Sequence, residues 1–165
     1  MTTAAAATGR LTSWFMPVAD VTERHETLVH APADIVLDVA KTFDMQSVPL
    51  IRGIIWLRGK ILGATPLPPR RPQGLVAETT GLGWGVLAER PGRELVVGAV
   101  TQPWQADVKF TAVVPDRFAA FAEPDLVKIV WTLEVEPLGP SLTRFRTETR
   151  AVATDGTAQR KFLRY

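Results

Sequence analysis

The 165-residue chain contains no cysteine, only two histidines and one tyrosine. Without cysteine there are no disulfides, thiolate zinc sites, iron–sulfur clusters or thiol nucleophiles, and nothing in the chain demands an oxidising compartment. Two histidines with no carboxylate cluster at ligand spacing do not make a metal site, so neither metal nor cofactor is expected. A surplus of one charge is lacking too: 19 Lys+Arg stand against 17 Asp+Glu, for a net charge of +2. The basic residues are spread along the chain, a poor footprint for nucleic acid, and no nucleic-acid partner is expected. There is no G-x-S-x-G, which argues against a serine hydrolase of the usual α/β kind. The segment from Gly53 to Lys60 resembles a phosphate loop, but it has one residue too many between its glycines and Ile61 where Ser or Thr is required.

Met1 to Arg10 lacks the basic start and long apolar stretch of a secretory signal. The apolar stretch from Val48 to Leu67 carries Arg52, Arg58 and Lys60, each costly at the middle of a bilayer. A cytoplasmic protein with at most peripheral membrane contact is expected.

What is present is the balance of a soluble globular protein, 46% hydrophobic and 22% charged residues, with enough chain for one real core. Residues 1–19 are expected to be a flexible N-terminal segment and 20–165 a single domain. Val21 to His30 alternate with strand period. Ala31-Pro32 then opens a helix over about 32–42, and Ser47-Val48-Pro49 opens a second with Leu50, Ile51, Ile54, Leu57 and Ile61 at helical spacing. The proline-rich run from Thr65 to Gly74 is a loop. Period-two patterns predict strands over 75–79, 84–89, 94–101, 107–113, 126–136 and 142–152, with Arg90-Pro-Gly-Arg93 as a hairpin turn. Helical turns are expected over 115–121, and a closing helix from Thr154 onward.

The resulting order, β-α-α-β-β-β-β-β-β-α, is α+β with about seven antiparallel strands. Short stretches agree with one family: H-E-T-L-V-H-A-P-A-D-I-V at 25–36, P-G-R-E-L-V-V-G-A-V at 91–100, F-A-E-P-D-L-V-K-I-V-W at 121–131 and T-E-T-R-A-V-A-T-D at 147–155. Over about residues 20–165 the chain resembles the START/SRPBCC superfamily, the helix-grip fold of the birch-pollen allergens, and within it the uncharacterised bacterial branch labelled polyketide cyclase/dehydrase-like. The resemblance implies a curved sheet wrapped around a C-terminal helix, with a cavity between them for lipids, sterols or polyketides. The closing helix of such folds normally runs well beyond two turns, farther than this sequence continues.

Strand alternation places Val127, Ile129, Trp131, Leu133 and Val135 on one face, and Thr143, Phe145, Thr147, Thr149 and Ala151 on the inner face of the last strand. Arg144, Arg146, Glu148 and Arg150 then face solvent. A mostly apolar wall with a few hydroxyls suits a ligand pocket; ordinary core packing with threonine on a half-buried sheet accounts for the same pattern. The candidate ligand-binding residues are Thr27, Val29, Ile54, Arg58, Val127, Ile129, Trp131, Phe145, Thr147 and Thr149. Arg58 falls among the apolar positions of its helix, as a receiver for a ligand's carboxylate or phosphate or as a snorkelling side chain. His25 shares a strand face with Thr27 and with Glu23, so His25 and Glu23 are the candidate acid–base pair, the competing reading being a hydrogen-bonded structural histidine.

Three functions follow as expectations. The first is binding of a small hydrophobic molecule. The second is a metal-free cyclase/dehydratase-like enzyme using His25 and Glu23, with Thr147 or Thr149 orienting a carbonyl. The third is a partner-binding or membrane-apposed module using Trp56, Arg52 and Lys60, joined by Trp14 and Phe15 of the N-terminal segment. The oligomeric state is not set by these patterns.

Overall fold

A computed structural model of the chain describes residues 10–44 and 74–164. In chain order the elements are α1 (Leu11–Phe15), β1 (Val21–Val29), α2 (Ala33–Thr42), α3 (Leu75–Gly81), β2 (Gly85–Arg90), β3 (Glu94–Thr101), β4 (Phe110–Thr111), α4 (Pro115–Phe118), β5 (Val127–Gly139), β6 (Leu142–Ala153) and α5 (Gly156–Phe162). The strands form one antiparallel sheet in the order β1-β6-β5-β3-β2, with β4 paired to β3. Among the described strands the first is therefore the neighbour of the last. The α+β class agrees with the sequence pattern. The expected second helix, with Ile54, Arg58 and Trp56, lies outside the described residues.

Every residue of β3 is buried, because its E-L-V-V-G-A-V-T has apolar side chains at both parities and each face carries a layer. On one face Val36 and Leu37 of α2 pack against Leu95, Val97, Leu133 and Val135, with Leu75 and Val76 of α3 beside them. On the reverse face Phe15 and Met16 pack with Phe118, Leu87, Val96 and Val130. The rings of Phe15 and Phe118 meet edge to face, 6.3 Å between centroids and 84° between planes, the arrangement favoured by the ring quadrupoles. Gly98 of β3 leaves room for this layer: a Cβ there would stand 2.5 Å from Leu87 Cδ1 and 2.9 Å from Phe118 Cε2.

Three expectations are corrected. The segment 75–79 is helix α3 rather than a strand, so the described sheet has six strands and not seven. Its Val, Thr and Thr favour a strand, but Thr79 Oγ1 donates to the Leu75 carbonyl at 2.6 Å and Thr80 Oγ1 to that of Val76 at 3.0 Å, while half-buried Leu75 and Val76 pack against the cluster that holds Val36 and Leu37 of α2. Tertiary packing overrides propensity here. The strand expected over 107–113 shrinks to Phe110–Thr111, since Thr101 Oγ1 donates to the Lys109 carbonyl at 2.7 Å and ties the preceding loop to the end of β3. Within the segment 1–19, expected to be flexible, α1 is packed: Thr12, Phe15 and Met16 are buried.

The turns follow their residues. Arg93 N–H donates to the Arg90 carbonyl at 2.9 Å across a turn with Gly92 at φ +67°, a left-handed position that glycine takes without strain. Helix α4 starts at Pro115 and is closed by Lys128, whose ammonium donates to the Phe118 and Ala119 carbonyls at 3.2 and 2.9 Å. Burial pushes the Lys128 ammonium below its usual range.

Phe118 is fully buried and links α1, α4 and β3. Phe118→Ala is expected to lower unfolding stability by about 3–5 kcal/mol, read in urea as a drop in midpoint with an unchanged slope; a loss below about 1 kcal/mol would show that the reverse-face layer contributes little.

Candidate functional site

Register assembles one face of the sheet from three strands. Glu23 of β1 stands opposite Thr149 of β6, which stands opposite Trp131 of β5; the next rows are His25–Thr147–Leu133 and Thr27–Phe145–Val135. Ile129 pairs with Ala151, Val127 with Ala153, and Val29 with Thr143. All ten of the expected site residues that lie in the described strands or pairs (Glu23, His25, Thr27, Val29, Val127, Ile129, Trp131, Phe145, Thr147 and Thr149) therefore share this face. Their depth differs. Val127 is buried, Val29, Ile129, Trp131, Phe145 and Thr147 are half-buried, and Glu23, His25, Thr27 and Thr149 are exposed.

The His25–Glu23 pair is open to solvent, with side chains 77% and 70% exposed and 4.0 Å between Nε2 and Oε2. That separation exceeds a hydrogen bond, so the carboxylate does not fix the imidazole's orientation. An acid–base pair needs such a fix and exclusion of water to work on a substrate.

The reverse face corrects another expectation, because Arg146, Glu148 and Arg150 are not free in solvent. The Arg146 side chain, 14% exposed, bonds Glu26 at 2.7 Å, Glu136 at 2.8 Å and Glu134 at 3.1 Å. Arg144 reaches Glu136 at 2.9 Å. Glu148, 7% exposed, is bonded by Arg150 at 2.6 Å and approached by Arg10 at 3.5 Å. The N-terminal segment closes this network: Leu11 N–H donates to Glu94 Oε1 at 3.1 Å, and Arg150 Nη1 donates to the Met16 carbonyl at 2.7 Å. The Arg146 bond holds the Glu26 carboxyl below its usual range, and the Arg144 bond does the same for Glu136. Burial pushes the Glu94 carboxyl up.

Helix α5 is anchored at its start. The Asp155 carboxylate accepts from Ala158 N–H at 2.7 Å and from Asp125 N–H at 2.8 Å, capping the helix and holding Asp125 at φ +61°. Gln159 donates to Asp20 at 2.8 Å, and Lys161 pairs with Asp125 at 2.6 Å. Ala158 is its buried residue.

Two clefts lie elsewhere. One of about 570 Å³ is lined by Thr101, Gln102, Gln105, Asp107, Lys109 and neighbours at the end of β3; the other, of about 560 Å³, is lined by Trp104, Thr157, Arg160, Lys161 and Arg164 beside α5. Neither contains an expected site residue. Sequence reasoning passed over Trp104, whose only signal is an aromatic in a polar loop; Lys161 Nζ stands 5.2 Å from its ring centre. Among the described residues there is no group of three or more His, Asp or Glu able to hold a metal ion, and no helix is long and apolar enough to cross a membrane.

No family model and no curated protein matches the chain. Two solved structures are similar at low identity. A hypothetical protein from Helicobacter pylori is 13% identical, covering 99% of this chain and 85% of its own, with a TM-score of 0.42. A protein from Deinococcus radiodurans is 10% identical, covering 87% of this chain and 93% of its own, with a TM-score of 0.35.

The Asp155 bonds, with Ala158 N–H first, hold its carboxyl below the ordinary value of 3.8. A lowered acid stabilises the fold above 3.8, and that contribution is lost as pH falls through the lower native value. Asp155→Ala is expected to melt at lower temperature than the parent near neutral pH, with the gap closing below pH 3.8; a gap independent of pH would show that the cap acts through packing and not through its charge.

Proposed function

We propose that the chain binds a small hydrophobic molecule on the face of the sheet built by β1, β6 and β5. One observation carries the reading: half-buried Trp131 and Phe145 lie in register with the exposed hydroxyls of Thr149 and Thr27, and half-buried Ile129 and the imidazole of His25 share the same face. Apolar area of this kind supplies affinity, at about 25 cal/mol per Å² removed from water, and sparse polar groups orient the ligand. The adjacency of the first and last strands also supports a helix-grip member of the START/SRPBCC superfamily, in which this face would line the ligand cavity. The ligand class is lipid, sterol or polyketide-like, and the setting is cytoplasmic.

Native mass spectrometry of the purified chain is expected to show a stoichiometric apolar adduct that disappears on denaturation. Thr149→Trp, which fills the middle of the face from an exposed position, is expected to weaken a fluorescent fatty-acid or sterol probe by about tenfold or more. A clean apo mass together with no binding of either probe would overturn the proposal.

A further inference from the structure

The outermost strand β1 pairs only with β6 among the described strands, leaving its other edge without a ladder partner. The first eight of its nine residues are exposed. It contains none of the usual devices that blunt an edge by geometry: there is no proline in V-T-E-R-H-E-T-L-V, and its register to β6 runs unbroken from Val21 to Val29. An edge of this kind is a template for another strand.

The sequence of β1 selects which strand. Antiparallel pairing of β1 with itself, centred on His25, sets Val21 opposite Val29, Thr22 opposite Leu28, Glu23 opposite Thr27 and Arg24 opposite Glu26. Neighbouring registers are worse. Centring on Arg24 opposes two arginines, centring on Glu26 opposes two glutamates, and centring on Glu23 does the same. Registers centred between residues join the charged face of one copy to the hydroxyl-bearing face of the other.

The His25-centred register also completes an electrostatic pattern already in the sheet. On the reverse face Glu134, Arg146 and Glu26 form one cross-strand row, and Arg24 and Glu148 belong to another. Pairing about His25 sets Glu26 against Arg24 of the second copy, so one row runs Glu134, Arg146, Glu26 and on into Arg24 and Glu148 of that copy, alternating in sign throughout. Opposite charges directly across an antiparallel pair are favourable and like charges are not.

We infer that β1 is a homodimerisation edge: two copies join antiparallel about a two-fold axis at His25, making one continuous sheet. The interface is isologous and closes, so it gives dimers and not fibres. This inference does not depend on the ligand reading, since strand addition leaves both faces open.

Sedimentation equilibrium of the full chain is expected to show a reversible dimer, with a dissociation constant on the order of micromolar for an interface of one strand pair. Position 27 tests the register by sign, because it faces Glu23 of the second copy while its own cross-strand neighbour is Phe145. Thr27→Glu is expected to raise the dissociation constant by about fivefold or more, and Thr27→Lys to lower it by a similar factor, from two equivalent pairs per dimer. His25→Lys, which opposes two ammonium groups at the axis, is expected to weaken the dimer as well. A wild-type chain that stays monomeric to about 200 µM, a concentration well above such a constant, overturns the inference. So does a dimer whose constant moves in the same direction for both Thr27 variants.

Discussion

All eight residues of β3 are buried, and a strand with no solvent side needs a layer on each face. The two layers have different origins. The α2 and α3 layer is built from amphipathic helices, with Val36, Leu37, Leu75 and Val76 turned to the sheet. The reverse layer is improvised from short pieces, the single turns of α1 and α4, and depends on the interlocked rings of Phe15 and Phe118. A short helix is marginal alone, so these pieces hold only because their side chains fill the space that Gly98 leaves open.

Toward the β1 side the reverse face changes from apolar to ionic. Arginines and glutamates alternate across β6, β5 and β1, and the backbone of the N-terminal segment supplies the remaining donors and acceptors through Leu11 and Met16. Ions drawn partly out of water cost free energy to desolvate and are tolerated where each has several partners, as half-buried Arg146 has in Glu26, Glu134 and Glu136. The network favours one register, because a one-residue slip of β6 would turn the same charges into the α2 layer.

Strand period was enough to read which residues share a face. Glu23, His25, Thr27, Trp131, Phe145, Thr147 and Thr149 emerge together because side chains alternate whatever packs on them. Depth was not legible, since it depends on what covers each row. Val127 and Glu23 have the same parity, yet one is buried and the other open. Alternating charge in T-R-F-R-T-E-T-R read as a solvated face, and nothing local in residues 10–16 announces that they cover it. Helix α3 was missed for a related reason: β-branched residues point to a strand, while the contacts that make it helical come from α2.

The pairing of β1 with β6 joins residues 21–29 to 143–151, near opposite ends of the described chain. During synthesis β1 has no β6 to join until the residues between 29 and 143 have followed it. Phe15 and Met16 wait similarly for Phe118 and Val130. Contacts of such long sequence separation slow folding, and an unpaired V-T-E-R-H-E-T-L-V in the meantime is exposed to neighbouring nascent chains. The charges of Glu23, Arg24 and Glu26 then disfavour pairing with strands of unmatched sequence in the interval before β6 arrives.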